Sequence, residues 1–150
     1  MKNNKTVLIP SMLDFHFPLL RYAFCSTEYE AVILENEKDI THIGLHYSHN
    51  DLCYPCVLII GQMIEALKSG SYSPENTVLL IPQAGDACRG SNYINMIRHA
   101  LKRAGYGKFP VVSLNFKGLE RGNLFSVSAG MILRAAAAIM YGDALMIMSN

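Results

Sequence analysis

The chain carries almost no net charge: 13 basic residues against 12 acidic leave a formal +1 over 150 residues. With no field of one sign to draw in nucleic acid or an anionic membrane surface, neither is expected as a partner. Charged residues of both signs make up only 17% of the sequence against 51% hydrophobic, a balance that suits one domain with a substantial core. No apolar run is read as reaching the roughly 18 residues a membrane span needs. Met1-Lys2-Asn3-Asn4-Lys5 leads into a strand-like segment, not a signal-peptide core, so a cytoplasmic protein is expected. Cysteine is scarce, at Cys25, Cys53, Cys56 and Cys88 only. A chain this apolar does not need disulfide staples, so the reading is of reduced thiols, some of them metal-bound.

Several signatures are missing as well. The loop Pro10-Ser11-Met12-Leu13-Asp14 has no G-x-G-x-x-G, and Gln83-Ala84-Gly85-Asp86 lacks the Gly-Lys-Ser/Thr ending of a phosphate loop, so nucleotide binding is unsupported. Ser11 and Ser91 have no nucleophile-elbow context, and no carboxylate pair is spaced for acid/base work. There is no repeat, low-complexity tract or charge run, and nothing marks a second domain.

What is there alternates. Thr6-Val7-Leu8-Ile9-Pro10 and Thr77-Val78-Leu79-Leu80-Ile81-Pro82 are apolar runs ended by proline, suited to strands buried on both faces. Ala31 to Glu35 and Pro110 to Leu114 read as two further strands. Helices are expected from Pro18 to Cys25, from Pro55 to about Lys68, from Ser91 to Ala104 with Gly105 as its stop, and from Ser128 to Tyr141 with Gly142-Asp143 interrupting. Thr41 to Tyr47 alternates Ile43, Leu45 and Tyr47 against His42, Gly44 and His46, the pattern of a short half-exposed strand or extended loop.

This order predicts one three-layer α/β domain over residues 1–150: a mostly parallel sheet with helices on both faces and right-handed crossovers, flavodoxin- or Rossmann-like. Ligands then belong beyond the carboxyl ends of the strands, at Ser11 to His16, Gln83 to Asn92 and Asn115 to Gly122. The apolar stretch Ala144-Leu145-Met146-Ile147-Met148 near the end of the chain suggests a segment of a larger protein or complex, and an alternative reading is a noncatalytic interaction domain that uses this apolar helix to meet neighbouring domains.

Two cysteines stand in loops that open helices, Cys53 in Asn50-Asp51-Leu52-Cys53-Tyr54-Pro55 and Cys88 in Gln83-Ala84-Gly85-Asp86-Ala87-Cys88-Arg89-Gly90. Free N–H groups and the positive dipole end at a helix start favour thiolate, the form that binds metal. Arg89 adds a positive neighbour to Cys88, and Gly85 and Gly90 let the backbone approach a bulky ligand. Taken singly, either cysteine is as well read as a small buried apolar residue. Cys53-Tyr54-Pro55-Cys56 is also a C-x-x-C at a helix start, the pattern of a redox dithiol, although Cys56 equally suits a core-facing helix position. Cys25 reads as core. His42, His46 and His49 have zinc-like spacing without a defined geometry and are expected on the surface, as is His99; His16 carries no signal of its own.

Ile9-Pro10-Ser11-Met12, Asn50 to Pro55, Gly61-Gln62, the run Gln83 to Tyr93 and Val112-Ser113-Leu114-Asn115 together resemble the 2-hydroxyacyl-CoA dehydratase family, and within it the dehydratase-like region of large CoA-enzyme activase proteins. The resemblance spans nearly the whole chain. It implies a [4Fe–4S] cluster held by cysteines, with Cys53 and Cys88 at ligand positions and Arg89, Asn50 and Asn92 shaping the pocket. It also implies electron transfer in a CoA-ester enzyme system, as a component of a dehydratase (a lyase) or of its activase. The partners implied are other domains or subunits of that system, and an acyl-CoA. The family's further cysteine ligand comes from a later domain outside this sequence, so the isolated segment would hold a cluster poorly or not at all.

Overall fold

The computed structural model describes residues 5–35, 39–49, 51–82, 93–115, 118–119 and 125–149. They form β1 (Lys5–Pro10), α1 (Phe17–Phe24), β2 (Tyr29–Leu34), α2 (Ile40–Tyr47), α3 (Tyr54–Lys68), β3 (Thr77–Pro82), α4 (Tyr93–Arg103), β4 (Val111–Asn115), β5 (Gly118–Leu119) and α5 (Ala129–Ser149). The sheet order is β2-β1-β3-β4-β5. The first four strands are parallel, with Val7 beside Ala31 and Val78, and Leu79 beside Val111. The expected three-layer α/β architecture is therefore the one observed, in the strand arrangement of Rossmann and flavodoxin-like folds.

Side-chain alternation explains why both faces must be covered. Val7 and Ile9 of β1 and Val78 and Leu80 of β3 pack with α1 residues Phe17, Leu20, Ala23 and Phe24 and with Met131 of α5. Leu8, Leu79 and Ile81 point the other way, into a core built from Ile59, Ile60, Met63 and Ile64 of α3 and Ile97 and Leu101 of α4. A strand with two apolar faces is stable only between two helical layers.

The helix ends follow their local chemistry. Pro18 and Pro55 lie in the first turns of α1 and α3, where a missing N–H costs nothing. After α3 and α4 the chain turns at Gly70 (φ 71°) and Gly105 (φ 87°), left-handed positions that favour glycine.

Four expectations need correction. Thr41 to Tyr47 belongs to a helix, α2, not a strand or loop: Ile40, Ile43 and Gly44 form one buried face at helical spacing, and exposed Leu45 created the false alternation. Gly142-Asp143 does not interrupt α5. Gly142 faces the ring of His16, where an added Cβ would come within 2.6 Å of Cδ2, and Asp143 Oδ1 lies 2.9 Å from His16 Nε2. Both residues thus answer to tertiary contacts and leave the helix intact. Finally, although Arg134 and Asp143 break its apolar run, α5 is by length and composition a helix able to cross a membrane. The loop expected after β4 also contains β5, which pairs antiparallel with it.

Candidate functional site at the carboxyl edge of the sheet

From β1 the chain crosses outward to β2, then returns past β1 to β3, so the strand order reverses between β1 and β3. In such sheets the crevice at that reversal, beyond the carboxyl ends of the strands, is where ligands bind. Ser11 leaves β1 at this point, and the segment 83–92 joins β3 to α4.

The loop after β1 is held from below by Gln62. This side chain is 2% exposed, in the middle of the apolar α3. Its Nε2 donates to the carbonyl of Ser11 at 3.0 Å, and its Oε1 accepts from the Ser11 N–H at 2.9 Å. A two-point clamp of this kind fixes both the position and the orientation of the residue it grips, through the two peptide groups on either side of its Cα. An amide within the apolar run Val57 to Ile64 is the sequence signal for this role.

Cys53 stands at the start of the same helix. Its backbone is extended (φ −64°, ψ 145°), and its carbonyl accepts from the N–H groups of Cys56 at 3.0 Å and Val57 at 3.3 Å, which begins the helical ladder. The side chain does not cap the helix. It turns to α4, where Sγ and the Tyr93 hydroxyl are hydrogen-bonded at 2.9 Å. Tyr93 is the first residue of α4 and directly follows the segment that carries Cys88. A hydroxyl on sulfur can donate to it, and such a contact stabilises sulfur that carries negative charge, whether free or bound to a metal.

Cys56 is three residues on and fully buried, packed with Ile59 and Ile60. Burial, helped by the neighbouring Cys53, pushes its thiol up to about 12. Cys56 is thus a protonated core residue, whereas Cys53 is only half-buried. Neither they nor Cys25 are in a disulfide. Cys25 ends α1 and accepts a weak hydrogen bond at Sγ from the Ala31 N–H at 3.4 Å.

Cys53 is the one proposed site residue that falls among the described residues; Asn50, Cys88, Arg89 and Asn92 lie outside them. Among the described residues no group of three or more His, Cys, Asp or Glu side chains converges. His42, His46 and His49 are exposed, as expected, and His49 stacks loosely on His99 at a ring separation of 6.4 Å. His16, unmarked in the sequence, is buried between the β1 loop and α5, paired with Asp143. Of the proposed ligands the described residues thus show one, the half-buried Cys53 sulfur with the Tyr93 hydroxyl hydrogen-bonded to it.

Comparison with protein-family models, with curated proteins and with solved structures gives no match in any of the three.

Proposed function

We propose that this is an iron–sulfur-binding α/β domain of the 2-hydroxyacyl-CoA dehydratase and activase kind, serving electron transfer in a CoA-ester enzyme system. One observation carries the reading. The Cys53 sulfur is fixed at 2.9 Å from the Tyr93 hydroxyl, so the thiol sits at the place where the segment bearing Cys88 rejoins the fold. Cys88 is five residues before Tyr93, a stretch of chain that reaches at most about 18 Å. That reach allows Cys88 to approach Cys53 at the sheet's ligand-binding edge, and two cysteines meeting there would suit shared ligation of a cluster. A [4Fe–4S] centre bound there would supply one-electron chemistry; this chain's part is to hold it, donate hydrogen bonds to sulfur and position a partner. Arg89, Asn50 and Asn92 complete the proposed pocket.

Anaerobic reconstitution with iron and sulfide, followed by absorbance and EPR, tests the proposal. With dithiothreitol supplied as a thiol in place of the further ligand, wild type should develop a cluster signal that Cys53→Ser and Cys88→Ser each abolish, and Tyr93→Phe should keep the signal with a shifted potential. A signal indifferent to both serine variants refutes ligation by these residues.

A second reading has an observation of its own. The contrast between half-buried Cys53 and fully buried, protonated Cys56 is the asymmetry of a dithiol with an attacking and a resolving cysteine. Titration against a glutathione redox buffer decides: a Cys53–Cys56 couple that survives Cys88→Ser, in a protein that takes up no iron, favours the dithiol.

A further inference from the structure

α5 carries two seams of the same spacing. The first, Met131, Ala135, Ala138, Gly142 and Leu145, advances by four, three, four and three residues and forms the packed side of the helix. The second, Leu133, Ala137, Met140, Ala144 and Ile147, repeats these steps two residues later. Two residues rotate an α-helix by about 200°, so the second seam points away from the domain. Its large members are bare: Leu133 is 72% exposed, and Met140 and Ile147 are each 74% exposed.

Steps of four and three are those by which one helix lays knobs into another. No charge intrudes, because both charged residues of α5 are engaged with the α1 side. Arg134 donates to the Ala23 carbonyl at 3.2 Å, and Asp143 pairs with His16. The seam is also symmetric in size. Large, small, large, small, large reads the same from either end, with Met140 at its centre.

We infer that this outward seam of α5 pairs with the same seam of a second copy of the chain, the two helices antiparallel about a two-fold axis at Met140. Leu133 then meets Ile147 of the second copy, Met140 meets its own counterpart, and Ala137 meets Ala144 to within one residue, about 1.5 Å of helix rise, which is the self-complementarity a two-fold interface requires. Tyr141 and Met148, 65% and 83% exposed, extend the same face, and a contiguous apolar patch of this kind marks an interaction surface. A membrane is the weaker occupant. Spanning it would bring Arg134 and Asp143 into hydrocarbon and pull α5 from α1, breaking the contact with His16.

Light scattering of the full chain under reducing conditions should give a dimer, and Met140→Glu a monomer with an unchanged circular-dichroism spectrum. Met140→Cys should cross-link between copies on mild oxidation at least about tenfold more than Ile132→Cys, since a disulfide needs Cα atoms within about 7 Å and Ile132 lies far from its counterpart in this pairing. A monomer at about 100 µM, a dimer that survives Met140→Glu, equal cross-linking of the two cysteine variants, or a monomer that floats with phosphatidylcholine/phosphatidylglycerol vesicles would each overturn the inference.

Discussion

Replacing Gln62 tests the architecture of the site without touching a cysteine. Gln62→Leu keeps the helix and nearly the volume but removes the donor and the acceptor that hold Ser11. Each backbone group left without a partner costs about 1–3 kcal/mol when buried. Ser11 is half-exposed, so water recovers part of this, and about 2–3 kcal/mol is expected for the pair. Gln62→Glu separates the two bonds. It retains an acceptor for the Ser11 N–H but, if ionised, sets a carboxylate oxygen against the Ser11 carbonyl in a site only 2% exposed, which should cost at least as much as leucine. Urea unfolding followed by circular dichroism reads both variants, and hydrogen exchange at the Ser11 amide reads the local effect. A loss below about 0.5 kcal/mol for Gln62→Leu, with no faster exchange at Ser11, would show that the clamp does not hold the loop.

Three further outcomes are expected. Gly61→Ala should destabilise by about 1–3 kcal/mol or more in urea melts despite a helix-propensity gain of up to about 1 kcal/mol, because the added Cβ meets the Ile40 carbonyl, backbone that cannot rotate aside; Gly44→Ala should behave alike against the Val57 carbonyl. Cys56 titrates at 9.0 in its unperturbed state and near 12 when folded, so above pH 9 the unfolded chain loses this proton before the folded one does. Stability should then fall with rising pH, by about 1 kcal/mol more between pH 8 and 10 in wild type than in Cys56→Ala as read by urea melts at each pH; equal slopes would refute the buried thiol. Asp143→Ala should cost about 1 kcal/mol in thermal or urea unfolding and Asp143→Asn less, since an amide oxygen can still accept from His16.

The main frame was legible because its signals are local. Apolar runs ending in Pro10 and Pro82 identify strands covered on two sides, and Pro18, Pro55, Gly70 and Gly105 bracket helices through backbone chemistry that no distant contact alters. α2 was illegible for the opposite reason. Its buried face is Ile40, Ile43 and Gly44, and Gly44 counts as core only because α3 comes close enough to touch its backbone. Gly142 misled in the same way: it is a glycine chosen for the His16 ring and not for a turn. At the site, Cys53 was placed correctly at a helix start, but its partner Tyr93 lies 40 residues away, and no spacing rule connects a thiol to a hydroxyl at that distance.

The close packing of α2 on α3 bears on the thiol as well as on stability. Gly61 presses on Ile40 and Gly44 on Val57, so the two helices meet backbone to backbone, with little room for sliding. α3 is therefore a fixed bar, and from it project both Gln62, which holds the loop after β1, and Cys53, which reaches the start of α4. A group placed by one rigid helix against the edges of two neighbouring strands is pre-organised, and pre-organisation is what ligation or directed electron transfer requires of a protein. It follows that a bulky substitution at Gly61, two turns away from Cys53, should loosen the Cys53–Tyr93 contact. Loss of stability and faster alkylation of Cys53 should appear together in Gly61→Ala, and stability loss with unchanged Cys53 reactivity would show that the helix bends instead of moving as a unit.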